Sequence, residues 1–147
     1  MKRSGIKRSS KRLSRSKSGA KAKPLIRNVK ANGYDLERAA LWHHATTVDD
    51  AKKRRPCAKC GSLVNIEAHH IIAKQTIKRL AKTNDWIWER EQSCVWDCRN
   101  GLPLCAKCHQ NHETAFDRVN RSLLSEEALD FADELGLLHL VERYYPE

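Results

Sequence analysis

The chain lacks several things that would set its class at once. No run of apolar residues approaches the ~18 needed to cross a bilayer, which excludes a helical membrane protein. Behind the charged N-terminus there is no apolar stretch, so these residues do not read as a signal peptide, and the expected setting is the cytoplasm. Aromatic residues make up 6% of 147 residues, about one domain's worth of chain. Finally, the first 34 residues contain no acid at all.

That last absence locates the charge. Residues 1–34 hold twelve Lys or Arg, whereas the other 113 carry 16 bases against 18 acids, so the net charge of +10 belongs entirely to the N-terminal stretch. Residues 1–23, MKRSGIKRSSKRLSRSKSGAKAK, are Ser-rich and poor in apolar side chains. Such a composition cannot offset the entropy of folding, and a disordered basic arm is expected. Lys2, Arg3, Lys7, Arg8, Lys11 and Arg12 are its candidate phosphate contacts, acting by counterion release. A solubilising extension and contact with RNA are the other readings of the same composition.

Residues 24–55 read as an N-terminal helical segment. After the turn signal Asn32-Gly33, the spacing of Leu36, Ala39, Ala40 and His43 predicts a helix over about Asp35 to Ala45. His43-His44 has no ligand-spaced partner nearby and reads as a polar helix end. Lys52, Lys53, Arg54 and Arg55 form a basic run before Pro56 that suits either a nucleic-acid backbone or a solvated loop.

Residues 56–115 carry the chemistry. Cys57/Cys60 and Cys105/Cys108 are two Cys-x-x-Cys pairs, each able to offer two thiolates from one tight turn, and together they make the closed four-sulfur set that structural zinc prefers. Gly61 follows the first pair, where a positive φ would let the chain turn back. A redox pair or disulfides would be the alternatives, but a redox motif normally occurs once, and a cytoplasmic setting argues against disulfides. The pairs stand 45 residues apart, too far for a compact double-knuckle finger, so something is inserted between them.

The insertion contains His69 and His70. Residues 62–72, SLVNIEAHHII, predict the first strand of a hairpin, followed by a short helix around Ile77, Leu80 and Ala81 and a turn at Asn84-Asp85. Lys74, Lys78, Arg79 and Lys82 would share one basic surface. Trp86, Trp88 and Trp96 could stack on bases, although a module this small needs them as core and hairpin cover. Asn100-Gly101 suits a strand entry, with a helix starting at the second knuckle. Neighbouring side chains in a strand point to opposite faces, so His69 and His70 must be splayed, either around a reacting centre or as a hydrogen-bonded polar pair.

The order Cys-x-x-Cys, His-His-Ile, then Asn-Gly-Leu-Pro-Leu-Cys-x-x-Cys-His resembles the HNH nucleases, especially zinc-clamped members from phage and bacterial genomes. The resemblance implies a ββα-metal fold. It also implies that His70 is the general base activating water, that His69 and His109 bind a catalytic divalent cation, and that Asn100 holds the base and its loop. Mg2+ is the implied cation, with Mn2+, Ni2+ or Zn2+ as alternatives, and the implied partner is DNA ahead of RNA. For a phage-encoded protein the setting would be the host cytoplasm. In some relatives a further ligand follows the first helix histidine at a spacing of four. Here His112 stands at a spacing of three and Glu113 at four, so either could touch the metal. HQNHE does not fit the zincin pattern or its inverse. Family relatives commonly show a Trp-Asp-Pro-Arg-Asn-like stretch, and WDCRN has Cys98 in the proline's place; Cys94 and Cys98 are read as non-ligands.

Residues 116–147 read as a helical cover. Ser125 can cap a helix bearing Leu129, Ala132 and Leu135, Gly136 can end it, and one more short helix fits 137–145. From Glu113 on there are nine acids and three bases, so this part is expected to pack on the module and not on DNA. The expected whole is α+β: a small treble-clef-like ββα-metal core stabilised by zinc, with flanking helices and the basic arm. Its expected function is metal-dependent hydrolysis of DNA phosphodiester bonds, the alternative being a non-catalytic zinc module that binds DNA or RNA.

Overall fold

A computed structural model describes residues 33–147. The basic arm, with Lys2, Arg3, Lys7, Arg8, Lys11 and Arg12, lies outside the described residues.

The order of elements is α1 (Leu36–Thr47), β1 (Ile66–His70), α2 (Lys74–Thr83), α3 (Trp88–Val95), β2 (Gly101–Cys105), α4 (Ala106–Glu113), α5 (Glu126–Glu134) and α6 (Leu138–Tyr144), with short 3-10 turns at 98–100 and 121–123. The fold is thus mixed, with six α-helices among the described residues set around one two-stranded sheet. No helix among the described residues is long and apolar enough to cross a membrane.

α1 starts one residue later than its spacing suggests because Asp35 is its cap: the carboxylate accepts from the Glu37 and Arg38 N–H groups, each at 3.1 Å. It continues to Thr47 and buries Trp42, Thr46 and Thr47. β1 and β2 pair antiparallel from Ile66↔Cys105 to His70↔Gly101. The first strand has five residues instead of the expected eleven. Asn65, at φ 51°, turns the chain away from extended geometry, and Leu63 and Val64 before it are exposed. Gly101 is required by packing, since a Cβ there would come within 2.3 Å of the Thr46 hydroxyl on α1.

α3 is an element that the sequence pattern did not announce. No side chain caps it, and its buried residues are Gln92 and Val95. Trp86 and Trp96 flank it, partly buried against the core. The core itself runs from Ile77, Val95 and Leu104 into Val119, Phe131, Ala132, Val141 and Tyr145 of the C-terminal part. That acid-rich part therefore packs on the module. Ser125 caps α5 by accepting the Ala128 N–H at 3.2 Å. Arg99 joins Asp97 to Glu134 of α5, locking the turn before β2 to the cover.

Candidate functional site

Two groups of side chains that could hold a metal lie along the hairpin. At the Ile66↔Cys105 end, Cys57, Cys60, Cys105 and Cys108 bring their sulfurs within 4.8 Å of one another. The knuckle folds as its residues require: the Gly61 N–H returns to the Cys57 carbonyl at 2.8 Å, and Gly61 takes φ 74°. Burial alone would raise the Cys57 thiol. The backbone N–H groups of Cys105, Cys60 and Lys59 outweigh it and bring the thiol down to about 6, so a thiolate is favoured where a cation would need one. The Cys60 and Cys105 sulfurs are 3.7 Å apart, a ligand-ligand separation and not a covalent bond. This is a four-thiol set that could hold zinc. Cys94 and Cys98 take no part in it: one lies in the last turn of α3 and the other opens the 3-10 turn.

The second group forms where α4 passes β1. His69, His109 and Glu113 bring one ligand atom each within 4.8 Å. Strand alternation sets Glu67 on the same face as His69. Glu67 accepts the Nδ1–H of His109 at 2.6 Å. The other ring nitrogen of His109, Nε2, faces a Glu113 oxygen at 3.1 Å. His69, His109 and Glu113 thus supply two imidazoles and a carboxylate, a donor set that fits a divalent ion. His69 is buried, and its Nε2 lies 2.8 Å from the Tyr145 hydroxyl, which itself donates to the Ile71 carbonyl at 3.3 Å. With Nε2 engaged by Tyr145, Nδ1 is the His69 atom left for a metal.

His70 points to the other face. Its Nε2 is 3.2 Å from the Val95 carbonyl. A carbonyl can only accept, so Nε2 carries the proton and Nδ1 the lone pair. Trp42 stacks on the ring, with centroids 3.9 Å apart and planes at 21°, and Trp42 is fixed in turn by donating to the Asp97 carbonyl at 2.9 Å. Burial first, and then the Lys74 ammonium, push His70 down to about 4, with the Val95 carbonyl opposing them. Burial, followed by the neighbouring His109, His112 and His70, takes His69 down to about 3. Both rings are therefore neutral at pH 7, as a base and a ligand must be.

Asn100 is fully buried and clasps the loop after His70. Its Oδ1 accepts the Ile72 N–H at 2.7 Å and its Nδ2 donates to the Ile72 carbonyl at 3.0 Å. Its own carbonyl accepts the Ile71 N–H at 3.0 Å.

His112 packs its ring 5.0 Å from that of His69 but is not among the three residues whose ligand atoms converge. Its Nδ1 accepts the Val119 N–H at 3.0 Å, so in the neutral ring Nε2 carries the proton and neither nitrogen offers a lone pair. Tyr145 stacks on it at 4.6 Å. Of the two residues considered at this turn, Glu113 joins the cluster and His112 ties α4 to the C-terminal cover. Lys52, Lys53, Arg54 and Arg55 are exposed, as are His43 and His44, and none of them belongs to either group.

A family model described as HNH endonuclease matches residues 57–120, a little under half of the chain. Residues 57–120 are thus similar to HNH endonucleases. No curated protein and no solved structure matches the chain. The HNH family is one of nucleases, and the match extends past α4 to Asn120, taking in the turn that carries Arg118. Around these histidines the residues that sequence reasoning passed over are Trp42, Glu67 and Tyr145, which contact His70, His109 and His69. Glu67 alone left a signal, two positions before His69 on a strand. A cavity of about 240 Å³ opens on the module beside His69, His70 and Glu113.

Proposed function

We propose that this HNH module is a metal-dependent endonuclease that hydrolyses phosphodiester bonds in DNA. One observation carries the reading: His69, His109 and Glu113 converge within 4.8 Å beside a histidine whose free lone pair is set by its hydrogen bond. The three residues would hold a divalent cation, Mg2+ by preference and Mn2+, Ni2+ or Zn2+ as alternatives. When bound, such an ion offsets the charge that builds on the phosphate and the leaving oxygen.

The other steps belong to the chain. His70 Nδ1 accepts a proton from the attacking water, while the Val95 carbonyl keeps the ring in the required tautomer and Trp42 fixes its plane. Asn100 is a positioning residue that maintains the loop on which His70 ends. Glu67 and Tyr145 orient the two ligand imidazoles. Cys57, Cys60, Cys105 and Cys108 would hold a structural zinc, and the basic arm, with Lys52 to Arg55, would supply phosphate contacts.

The test is cleavage of supercoiled plasmid by the full-length protein. Activity should require added magnesium, manganese or nickel, disappear with chelator and return on adding the cation back to protein whose zinc content is intact. A protein that retains zinc and binds DNA but never cuts, with any of these cations, would be a binding module instead.

A further inference from the structure

The cavity beside the metal group is closed on one side by the C-terminal cover. Its lining includes His69 and Glu113 from the histidine group, Ile72 from the loop before α2, Thr76 from the first turn of α2, and Arg118, Leu140 and Tyr144 from the cover. Arg118 is the informative residue. The C-terminal part has nine acids and only three bases. Arg121 is paired there with Glu142 and Glu147. Arg118 has no carboxylate partner among the described residues: one guanidinium nitrogen bonds the Tyr144 carbonyl at 3.2 Å, and the group lies over the Tyr144 ring at 5.3 Å.

Its backbone is held from both sides. The Lys59 ammonium binds the carbonyls of Asp117 and Arg118, each at 2.9 Å, and the Asp117 carboxylate at 2.5 Å. The next N–H, of Val119, is fixed on His112. A charge kept free of acids in an acid-rich segment, on a fixed loop and beside an aromatic ring, is suited to an anion brought from outside.

An occupant would need an anionic group at Arg118, a phosphate at the cation and an apolar, flat body between Ile72, Leu140 and Tyr144. About 240 Å³ is on the scale of one nucleobase with its sugar, and not of a base pair. In continuous duplex the bases face one another and the backbone alone would reach this hollow, leaving its aliphatic and aromatic lining unused.

We propose that the cavity seats an unpaired nucleotide next to the scissile phosphate, with Arg118 on a flanking phosphate and the base against Tyr144 and Leu140. The substrate is then single-stranded or branched polynucleotide in preference to continuous duplex. The placement of the scissile phosphate rests on the nuclease reading above; the preference for unpaired nucleotides does not.

The test uses the full-length, zinc-loaded protein without added divalent cation and labelled oligonucleotides followed by fluorescence anisotropy: single-stranded DNA, single-stranded RNA of the same sequence, a blunt duplex and the duplex with a single-stranded flap. Single strands and flap should bind more tightly than blunt duplex. Arg118→Ala and Tyr144→Ala should each weaken single-strand binding by roughly tenfold, within the range of one stacked base, and leave blunt-duplex binding unchanged. Tyr144 is 42% exposed, so its truncation does not open the core if Arg118→Ala proves unstable. The RNA and DNA arms identify which sugar the site accepts. Equal affinity for duplex and single strand, or equal losses on both in the variants, would overturn the proposal even if the protein cuts plasmid. A preference for single strands that both variants abolish would uphold it even if no cleavage is ever seen.

Discussion

The Cys and His groups share one helix, α4, and differ in almost everything else. Cys108 and His109 are neighbours on one helix, yet they serve different clusters. Three of the four thiols are buried in the core, and the four by themselves match the number of ligands that a structural zinc takes. The second group instead grades from buried His69 through half-exposed His109 to exposed Glu113, and cavities open on it from two sides. A closed set leaves a metal nothing to do but hold the chain, while a set of three protein donors open to solvent leaves room for a reacting group. On the proposed reading the hairpin would use one end for stability and the other for chemistry, and the two should fail differently.

The sharpest break is at the closed end. Structural zinc supplies on the order of 10 kcal/mol to modules of this kind. Cys105→Ser should therefore lose zinc and its cooperative melt together, as followed by metal analysis and circular dichroism. Cys94→Ser, outside the cluster, should keep both. Full zinc content in the Cys105 variant would erase the distinction between the two ends.

At the open end the fold should survive and the chemistry should not. His70→Ala should cut about 10²–10⁴-fold more slowly, the usual loss for a general base. His69→Ala and His109→Ala should lose activity that higher magnesium partly restores, because a missing ligand lowers occupancy and mass action can recover it. Recovery of the His70 variant by metal alone would mean that its imidazole is a ligand and not the base.

A smaller effect is expected at the orienting hydroxyl. Tyr145→Phe keeps the buried ring and removes the hydrogen-bond partner of His69 Nε2. Cation affinity should fall by about 10- to 100-fold, read as the magnesium concentration for half-maximal cleavage, while zinc content stays constant. An unchanged magnesium requirement would make the phenol mere packing.

Much of this was legible before any coordinates. The Cys-x-x-Cys pairs, the His-His doublet and the Asn-Gly before β2 are local patterns whose spacing reflects local geometry; α1 and α5 follow their apolar spacing and caps, α2 its apolar spacing alone, and α4 the second knuckle. What could not be read is long-range. Tyr145 meets His69 across 76 positions, and Trp42 meets His70 from another helix; in sequence both are aromatics that any core would use. β1 was overestimated because Leu63 and Val64 look like strand residues, and a left-handed Asn65 leaves no trace in hydropathy. α3 was missed because neither a side-chain cap nor a regular apolar face marks it. His112 and Glu113 differ by one position on one helix, and only the Val119 N–H, placed by the packing of the cover, separates them.

The mildest test concerns pH. His69 and His70 are pushed down to about 3 and about 4 in the folded protein, against about 6.5 for an unfolded histidine. In that interval the unfolded chain binds protons that the folded chain refuses, so stability must rise with pH. The contribution is full above about pH 6.5 and is lost as pH falls toward 4. Between pH 7 and pH 6 each ring should cost about 0.7 kcal/mol, measured by urea unfolding of zinc-loaded protein without added divalent cation, with zinc content checked at both values. The thiolate end keeps its metal over this step if the two ends are independent. A protein equally stable at pH 6 and pH 7 would mean that the two imidazoles are not held neutral by burial, and the open end would lose the feature that sets its histidines apart.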